Sequence, residues 1–152
     1  MVCDITKDCN FYSAEDVKFM QKRWYQWYNP LISWFEKYWF APLIITILIA
    51  GFIYYISDTP SYGFPTNLGI MTKIYHLGIY FLLGLFISLT VIRGKINNKY
   101  LIIIALLLSV AYGISDEIHQ FFVPGRHTTF RDVFIDTTGV LSAIVFYYAM
   151  RE

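Results

Sequence analysis

The residues best suited to chemistry lie in one stretch, Ser115 to Asp132, which reads SDEIHQFFVPGRHTTFRD. This stretch gathers carboxylates, histidines and arginines between two strongly apolar runs. Charged side chains are costly inside a membrane, and where they occur they are usually paired, hydrated or functional. Glu117 and His119 are the candidate catalytic residues, because a carboxylate or an imidazole can act as a general base or acid.

Other polar residues have the spacing of neighbours on one helix face. Residues three or four positions apart on a helix lie side by side. Arg126, in a Pro-Gly turn, offers a planar fork that can bind a phosphate or a carboxylate through two hydrogen bonds. The candidate ligand-binding residues are Lys73, His76, Asp116, Gln120, Arg126, Asp132 and Asp136.

The same side chains raise the question of a metal. Imidazole nitrogens and carboxylate oxygens are common ligands of divalent ions. Their order here matches no fixed-spacing metal motif such as HExxH. A divalent metal is therefore an open alternative, and the sequence indicates no other cofactor.

Composition places these residues in a membrane protein. Of 152 residues, 57% are hydrophobic and only 15% are charged, and the mean hydropathy is +0.47. Soluble domains carry about 25% charged residues. A nucleic-acid-binding protein would cluster its basic residues, whereas here they are scattered and the net charge is +1. The lipid bilayer is the expected partner, and nucleic acid is not.

Four apolar runs are candidates to cross the membrane. A helix needs about 20 apolar residues to do so. The third run is short but can continue to Phe122, and the fourth can begin near Phe130. We predict an all-α four-transmembrane-helix bundle whose spans include Phe40–Ser57, Ile74–Ile92, Tyr100–Ser115 and Val133–Met150.

The segment before the first run is polar and rich in aromatic residues. Ser13 to Tyr28 begins with a helix-capping pattern and repeats apolar residues at roughly helical spacing. We predict an amphipathic helix that lies on the membrane surface, and packing on the protein's own cytoplasmic end is the alternative. The expected division is a cytoplasmic tail over 1–39 and a membrane domain over 40–152.

Lysine and arginine predict the orientation. They precede the first run, fill the connection RGKINNK after the second, and follow the fourth. Short loops rich in these residues stay in the cytoplasm. We therefore expect a multi-pass protein of the cell membrane with both termini cytoplasmic. If the spans alternate in direction, the start of the second span, the end of the third and the start of the fourth all lie at the outer surface. One outward-facing pocket would then contain Lys73 and His76, the polar residues that end the third span, and Asp132 and Asp136.

The motifs resemble the signature of the VanZ-like family of membrane proteins. That signature combines Asp-Glu-x-x-Gln, a Pro-Gly-Arg turn, a following Asp and a Gly within the last helix, with Lys-x-x-His at the start of the second span. The resemblance covers roughly Ile44 to Met150. The matching residues are Lys73, His76, Asp116, Glu117, Gln120, Pro124, Gly125, Arg126, Asp132 and Gly139.

The resemblance implies a role at the cell envelope, since the family is named for resistance to glycopeptide antibiotics, especially teicoplanin. This chain has Asp136 where the family typically has Asn, which adds a possible charge or metal ligand. The resemblance carries no established reaction.

Three functions stay open at this point. The protein can bind an anionic headgroup, lipid-linked or from the cell wall, through Arg126 and Lys73. It can be an intramembrane enzyme acting on a lipid-linked phosphate ester, with Asp132 and Asp136 holding a metal. The charged residues can also have a purely structural role, in which they form ion pairs that hold the helices together. Such pairs at a membrane surface contribute little individually to stability.

Overall fold

The computed structural model describes residues 30–60, 69–126 and 130–151. Within them, four helices are long and apolar enough to cross a membrane, which confirms the predicted fold class. They are α1 (Phe40–Ser57), α2 (Gly69–Val91), α3 (Lys99–Phe121) and α4 (Phe130–Ala149). Residues 30–37 are also helical. The amphipathic helix predicted over 13–28 lies outside the described residues.

The helix ends follow local chemistry. The Asn98 side chain caps α3 by accepting a hydrogen bond from the Tyr100 backbone N–H at 3.1 Å, as a helix N-cap should. Arg93 and Gly94 turn the chain out of α2 with positive φ angles of 48° and 73°. Glycine adopts such angles without steric cost. The first span has its predicted bounds, and α2 begins five residues before the predicted Ile74. The bounds of α3 and α4 match to within one residue once the predicted extensions, to Phe122 and from Phe130, are included.

Helix α2 is the centre of the bundle and packs against each of the other three, most extensively against α4. Small residues allow this close approach. A Cβ atom added at Gly139 would lie 2.6 Å from the Leu77 carbonyl oxygen, and one at Gly84 would lie 3.1 Å from the Val140 Cα. The two backbones therefore meet directly.

The distribution of apolar side chains suits lipid rather than water outside the bundle. Tyr80, Leu83 and Val140 are almost wholly buried between helices. Large apolar side chains such as Leu48 and Leu107 are well exposed on the bundle's surface. A soluble domain rarely exposes large apolar patches, so this surface is typical of a helix bundle that spans a membrane.

Candidate functional site

Six of the eight buried polar residues in the described part of the chain gather at one end of the bundle. They come from the last turns of α1 and α3 and from the first half of α2 and α4. His76 lies seven positions into α2, and Asp136 lies six positions into α4. At a rise of 1.5 Å per residue, both lie about 10 Å along their helices. The buried members of this group are Ser57, His76, Asp116, Glu117, Gln120 and Asp136.

His76 and Asp136 form a buried pair between α2 and α4. The His76 Nδ1 atom lies 3.0 Å from the Asp136 Oδ1 atom, and both side chains are almost inaccessible. A carboxylate in this position fixes the orientation and tautomer of an imidazole. The pair can therefore hold or move a proton within the membrane.

A second network links α1, α2 and α3 through Asp116. Its Oδ2 atom accepts hydrogen bonds from the Tyr80 hydroxyl at 3.0 Å and from the Gln120 side-chain amide at 2.9 Å. The Gln120 amide also donates to the Ser57 hydroxyl at 3.1 Å. These groups satisfy one another, and buried polar groups need such partners. The network ties three helices together.

Glu117 differs from its neighbour Asp116. Both of its carboxylate oxygens are buried, and neither has a hydrogen-bond partner within the described residues. Its carboxylate lies beside the His76–Asp136 pair, with one ligand atom from each of the three residues within 4.8 Å of the others. We call His76, Glu117 and Asp136 the acidic cluster.

Glu117 also reaches an apolar groove between α3 and α4. The groove has a volume of about 310 Å³, and every other residue that lines it is apolar. Glu117 therefore joins the acidic cluster to a surface suited to a hydrocarbon chain. The lining residues are Ile114, Glu117, Ile118, Phe121, Phe122, Phe130 and Val133.

Arg126 is placed at the same end but binds the protein's own backbone. Its Nε atom donates to the Thr59 carbonyl oxygen at 3.2 Å, and its Nη2 atom donates to that of Ile56. The carbonyls at a helix C-terminus lack helical partners and favour a positive charge. Arg126 therefore closes the end of α1 from the loop after α3.

Lys73 lies outside the acidic cluster. It is exposed and lines a shallow groove with residues of α2 and α4, including Leu77 and Thr138. Residues three apart on a helix differ by about 60° around its axis. That angle puts His76 between the helices and leaves Lys73 at the edge of their contact.

His119 also lies away from the acidic cluster, whereas Asp132 lies close enough to interact electrostatically with all three of its residues. The His119 ring stacks on the Tyr54 ring with centroids 4.7 Å apart, and its Nε2 atom lies 3.3 Å from an Asp58 carboxylate oxygen. Asp132 is half-buried in the first turn of α4, where a carboxylate interacts favourably with the helix dipole.

Tyr80 and Ser57 are members of the site that sequence reasoning missed. Tyr80 follows His76 by four positions, so helical spacing alone could have suggested a shared face. Ser57 carries no such signal, since its partner Gln120 is distant in the chain.

Comparison with known proteins identifies the family of the chain. The model of the family described as VanZ/LLP1 matches residues 10–151. The match begins well before Phe40, so it includes most of the segment that the motifs alone leave unexplained. No curated protein matches the chain, and no solved structure does.

Proposed function

Since the chain belongs to the VanZ/LLP1 family of multi-pass membrane proteins, we propose that it binds an anionic lipid of the cell envelope. The lipid chain lies in the groove between α3 and α4, and the headgroup lies at the acidic cluster. The observation that carries the proposal is the position of Glu117, which belongs to both the groove and the cluster.

The mouth of the groove supports an anionic headgroup. Phe121, Phe122 and Phe130 line the groove on either side of the connection from α3 to α4, and that connection carries Arg126. Two of its nitrogens are occupied by backbone carbonyl oxygens, but a guanidinium keeps its positive charge at all physiological pH values. Arg126 therefore favours an anion nearby through its charge. An anion approaching the carboxylates of the acidic cluster also needs a cation there. A role in glycopeptide resistance would follow if the lipid is a cell-wall precursor carrier.

A lipid-binding measurement on the purified full chain in detergent tests the proposal. We expect a polyprenyl phosphate to raise the melting temperature, the uncharged polyprenol to raise it less, and inorganic phosphate to leave it unchanged. A ligand at 100 times its Kd stabilises a fold by about 2.7 kcal/mol. Equal shifts with polyprenol and polyprenyl phosphate would contradict the headgroup assignment.

A matched pair of variants tests the groove. Val133→Phe fills the groove from α4 and should abolish the shift with polyprenyl phosphate. Val145→Phe makes the same change on α4 at an exposed position away from the groove and should keep the shift. Binding that survives Val133→Phe would contradict the placement of the chain.

The His76–Asp136 pair favours a second candidate function, an enzyme that hydrolyses a lipid-linked phosphate ester. His76 would take a proton from water, the water oxygen would bond to phosphorus, and the bond from phosphorus to the lipid oxygen would break. The proton would then pass to the leaving oxygen. Phosphate released from polyprenyl phosphate by the wild type and not by His76→Gln would establish this reaction, provided that His76→Gln still binds the lipid.

A further inference from the structure

The acidic cluster brings three metal-ligand side chains together from three helices. One nitrogen of His76 and one carboxylate oxygen each of Glu117 and Asp136 lie within 4.8 Å of one another. All three residues are buried, with exposed fractions of 6%, 7% and 2%. The residues are far apart in sequence, so only the fold assembles this donor set.

Unpartnered oxygens point to a cation at this position. Both Glu117 oxygens and the Asp136 Oδ2 atom are buried without a hydrogen-bond partner among the described residues. A buried carboxylate that lacks a partner is strongly destabilising. Asp116, on the same turn as Glu117, has its hydrogen bonds satisfied by Tyr80 and Gln120. Among the described residues, the His119 Nε2 atom is the other buried polar atom without a hydrogen-bond partner. The unpartnered carboxylate oxygens all belong to the acidic cluster.

We propose that His76, Glu117 and Asp136 bind one divalent transition-metal ion inside the membrane domain. One imidazole and two carboxylates suit ions such as Zn²⁺ and Mn²⁺, which accept mixed nitrogen and oxygen ligands. The charges also match, because two carboxylates with a neutral imidazole carry two negative charges. Three protein ligands leave a coordination position open, as in catalytic zinc sites.

The donor atoms must move closer together to bind one ion. Zinc lies about 2.1 Å from nitrogen and oxygen ligands, so two ligands at the tetrahedral angle are about 3.4 Å apart. The separations of up to 4.8 Å must therefore close by about 1.4 Å. Glu117 can rotate to do this, because no hydrogen bond holds its carboxylate.

This inference deepens the proposed function, because the open coordination position would receive the phosphate of the lipid headgroup. The metal ion would remove the repulsion between that phosphate and the two carboxylates. Metal binding itself does not depend on the lipid, so the two proposals can fail separately.

The test is a titration of the full chain in detergent, purified without a polyhistidine tag and stripped with EDTA. Zn²⁺ and Mn²⁺ are titrated by calorimetry, and the metal that elutes with the protein is counted after gel filtration. We expect one ion per chain and a higher melting temperature. Glu117→Gln and Asp136→Asn keep the side-chain shapes and should weaken binding at least about tenfold, the loss typical of even outer-shell changes.

Asp58→Asn is the matched control. Asp58 is a carboxylate at the same end of the bundle, but its side chain is 62% exposed, and it lies outside the acidic cluster. Its variant should bind the ion like the wild type. Absence of stoichiometric binding to the wild type, or wild-type affinity in a folded Glu117→Gln or Asp136→Asn protein, would overturn the proposal.

Repeating the lipid measurement in EDTA separates the two proposals. In one outcome, the titration shows no metal binding and polyprenyl phosphate stabilises the protein equally with and without EDTA. That outcome would retain the lipid proposal and reject the metal site. One bound ion without any effect of the lipid would retain the metal site and reject the proposed function.

Discussion

At the scale of single residues, the buried polar side chains fall into two groups that the sequence does not distinguish. Asp116 and Gln120 have their hydrogen bonds satisfied within the bundle. Glu117 and one oxygen of Asp136 do not. Satisfied networks fix a structure, whereas unsatisfied buried groups need another explanation. We therefore assign the first group to stability and the second to the site.

The buried His76–Asp136 pair gives a prediction for stability. His76→Ala should lower the free energy of unfolding by about 3 kcal/mol, because it leaves a buried carboxylate without its partner. Asp136→Ala should also be destabilising. The double variant should lose less than the sum of the two, since the hydrogen bond is already broken in each. Reversible unfolding in mixed micelles measures all three, and additive losses would show that the pair does not interact.

Tyr80 should contribute less than His76 to the free energy of unfolding. Tyr80→Phe removes one of two hydrogen bonds to the Asp116 Oδ2 atom and leaves the one from Gln120. We expect a loss of about 1 kcal/mol, as for a single ordinary hydrogen bond. The same unfolding measurement applies, and a loss similar to that of His76→Ala would mean that Asp116 depends on Tyr80 alone.

At the scale of elements, the contact between α2 and α4 positions the acidic cluster. Gly139 lies one turn after Asp136, and its backbone meets that of α2 next to Leu77. This contact brings Asp136 within hydrogen-bond distance of His76. The small residues on these helices therefore serve the site as well as the packing.

Gly139→Ala should force α2 and α4 apart. Its Cβ atom would lie 2.6 Å from the Leu77 carbonyl oxygen, which cannot move alone. We expect a loss of about 1–3 kcal/mol, as for other overpacked sites. Gly78→Ala is the control, since nothing lies within 4 Å of its Cβ position and alanine favours a helix. Equal unfolding free energies for the two variants would contradict the close contact.

Arg126 gives a second prediction at this scale. Arg126→Lys removes the guanidinium that spans the carbonyl oxygens of Thr59 and Ile56. We expect a loss of about 1–2 kcal/mol, because one ammonium cannot replace both hydrogen bonds in this geometry. Arg131→Lys, at an exposed position, should cost less than about 0.5 kcal/mol. An unchanged free energy of unfolding in the Arg126→Lys variant would show that the end of α1 does not need these hydrogen bonds.

At the scale of the whole molecule, the two ends of the bundle differ in chemistry. The acidic cluster lies toward one end. At the other, Glu36 accepts hydrogen bonds from Tyr147 and from Arg151, and the Gly94 N–H donates to the Tyr147 hydroxyl at 2.8 Å. Segment 30–37, the connection from α2 to α3 and the end of α4 are thereby tied together. We propose that this second end faces the cytoplasm, because lysine and arginine are concentrated there.

Cysteine labelling tests this orientation in intact cells. Asp58→Cys, at the end near the acidic cluster, should react with a membrane-impermeant maleimide. Asn97→Cys, in the connection from α2 to α3, should react only after the cells are opened, as should the native Cys3 and Cys9. The reverse pattern would place the acidic cluster toward the cytoplasm and move the proposed lipid site to the inner leaflet.

The spans, the fold class and the end of the bundle at which the polar groups lie could all be predicted from the amino-acid sequence. Local composition fixes a span, because about 20 apolar residues cross the hydrocarbon wherever they occur. Alternating direction then places Asp116, His76 and Asp136 at one end. The VanZ-like motifs also identified the family, which the match over residues 10–151 confirms.

Which of these residues contact one another could not be predicted from the sequence, because it depends on how the helices pack. Helical spacing gives the angle between two side chains on one helix but not the neighbour that each one faces. The contact at Gly139 fixes the rotation of α2, which buries His76 and leaves Lys73 exposed. Helix packing likewise turns Glu117 into the acidic cluster and His119 toward Tyr54. Such rotations depend on how several helices fit together, so no local pattern contains them.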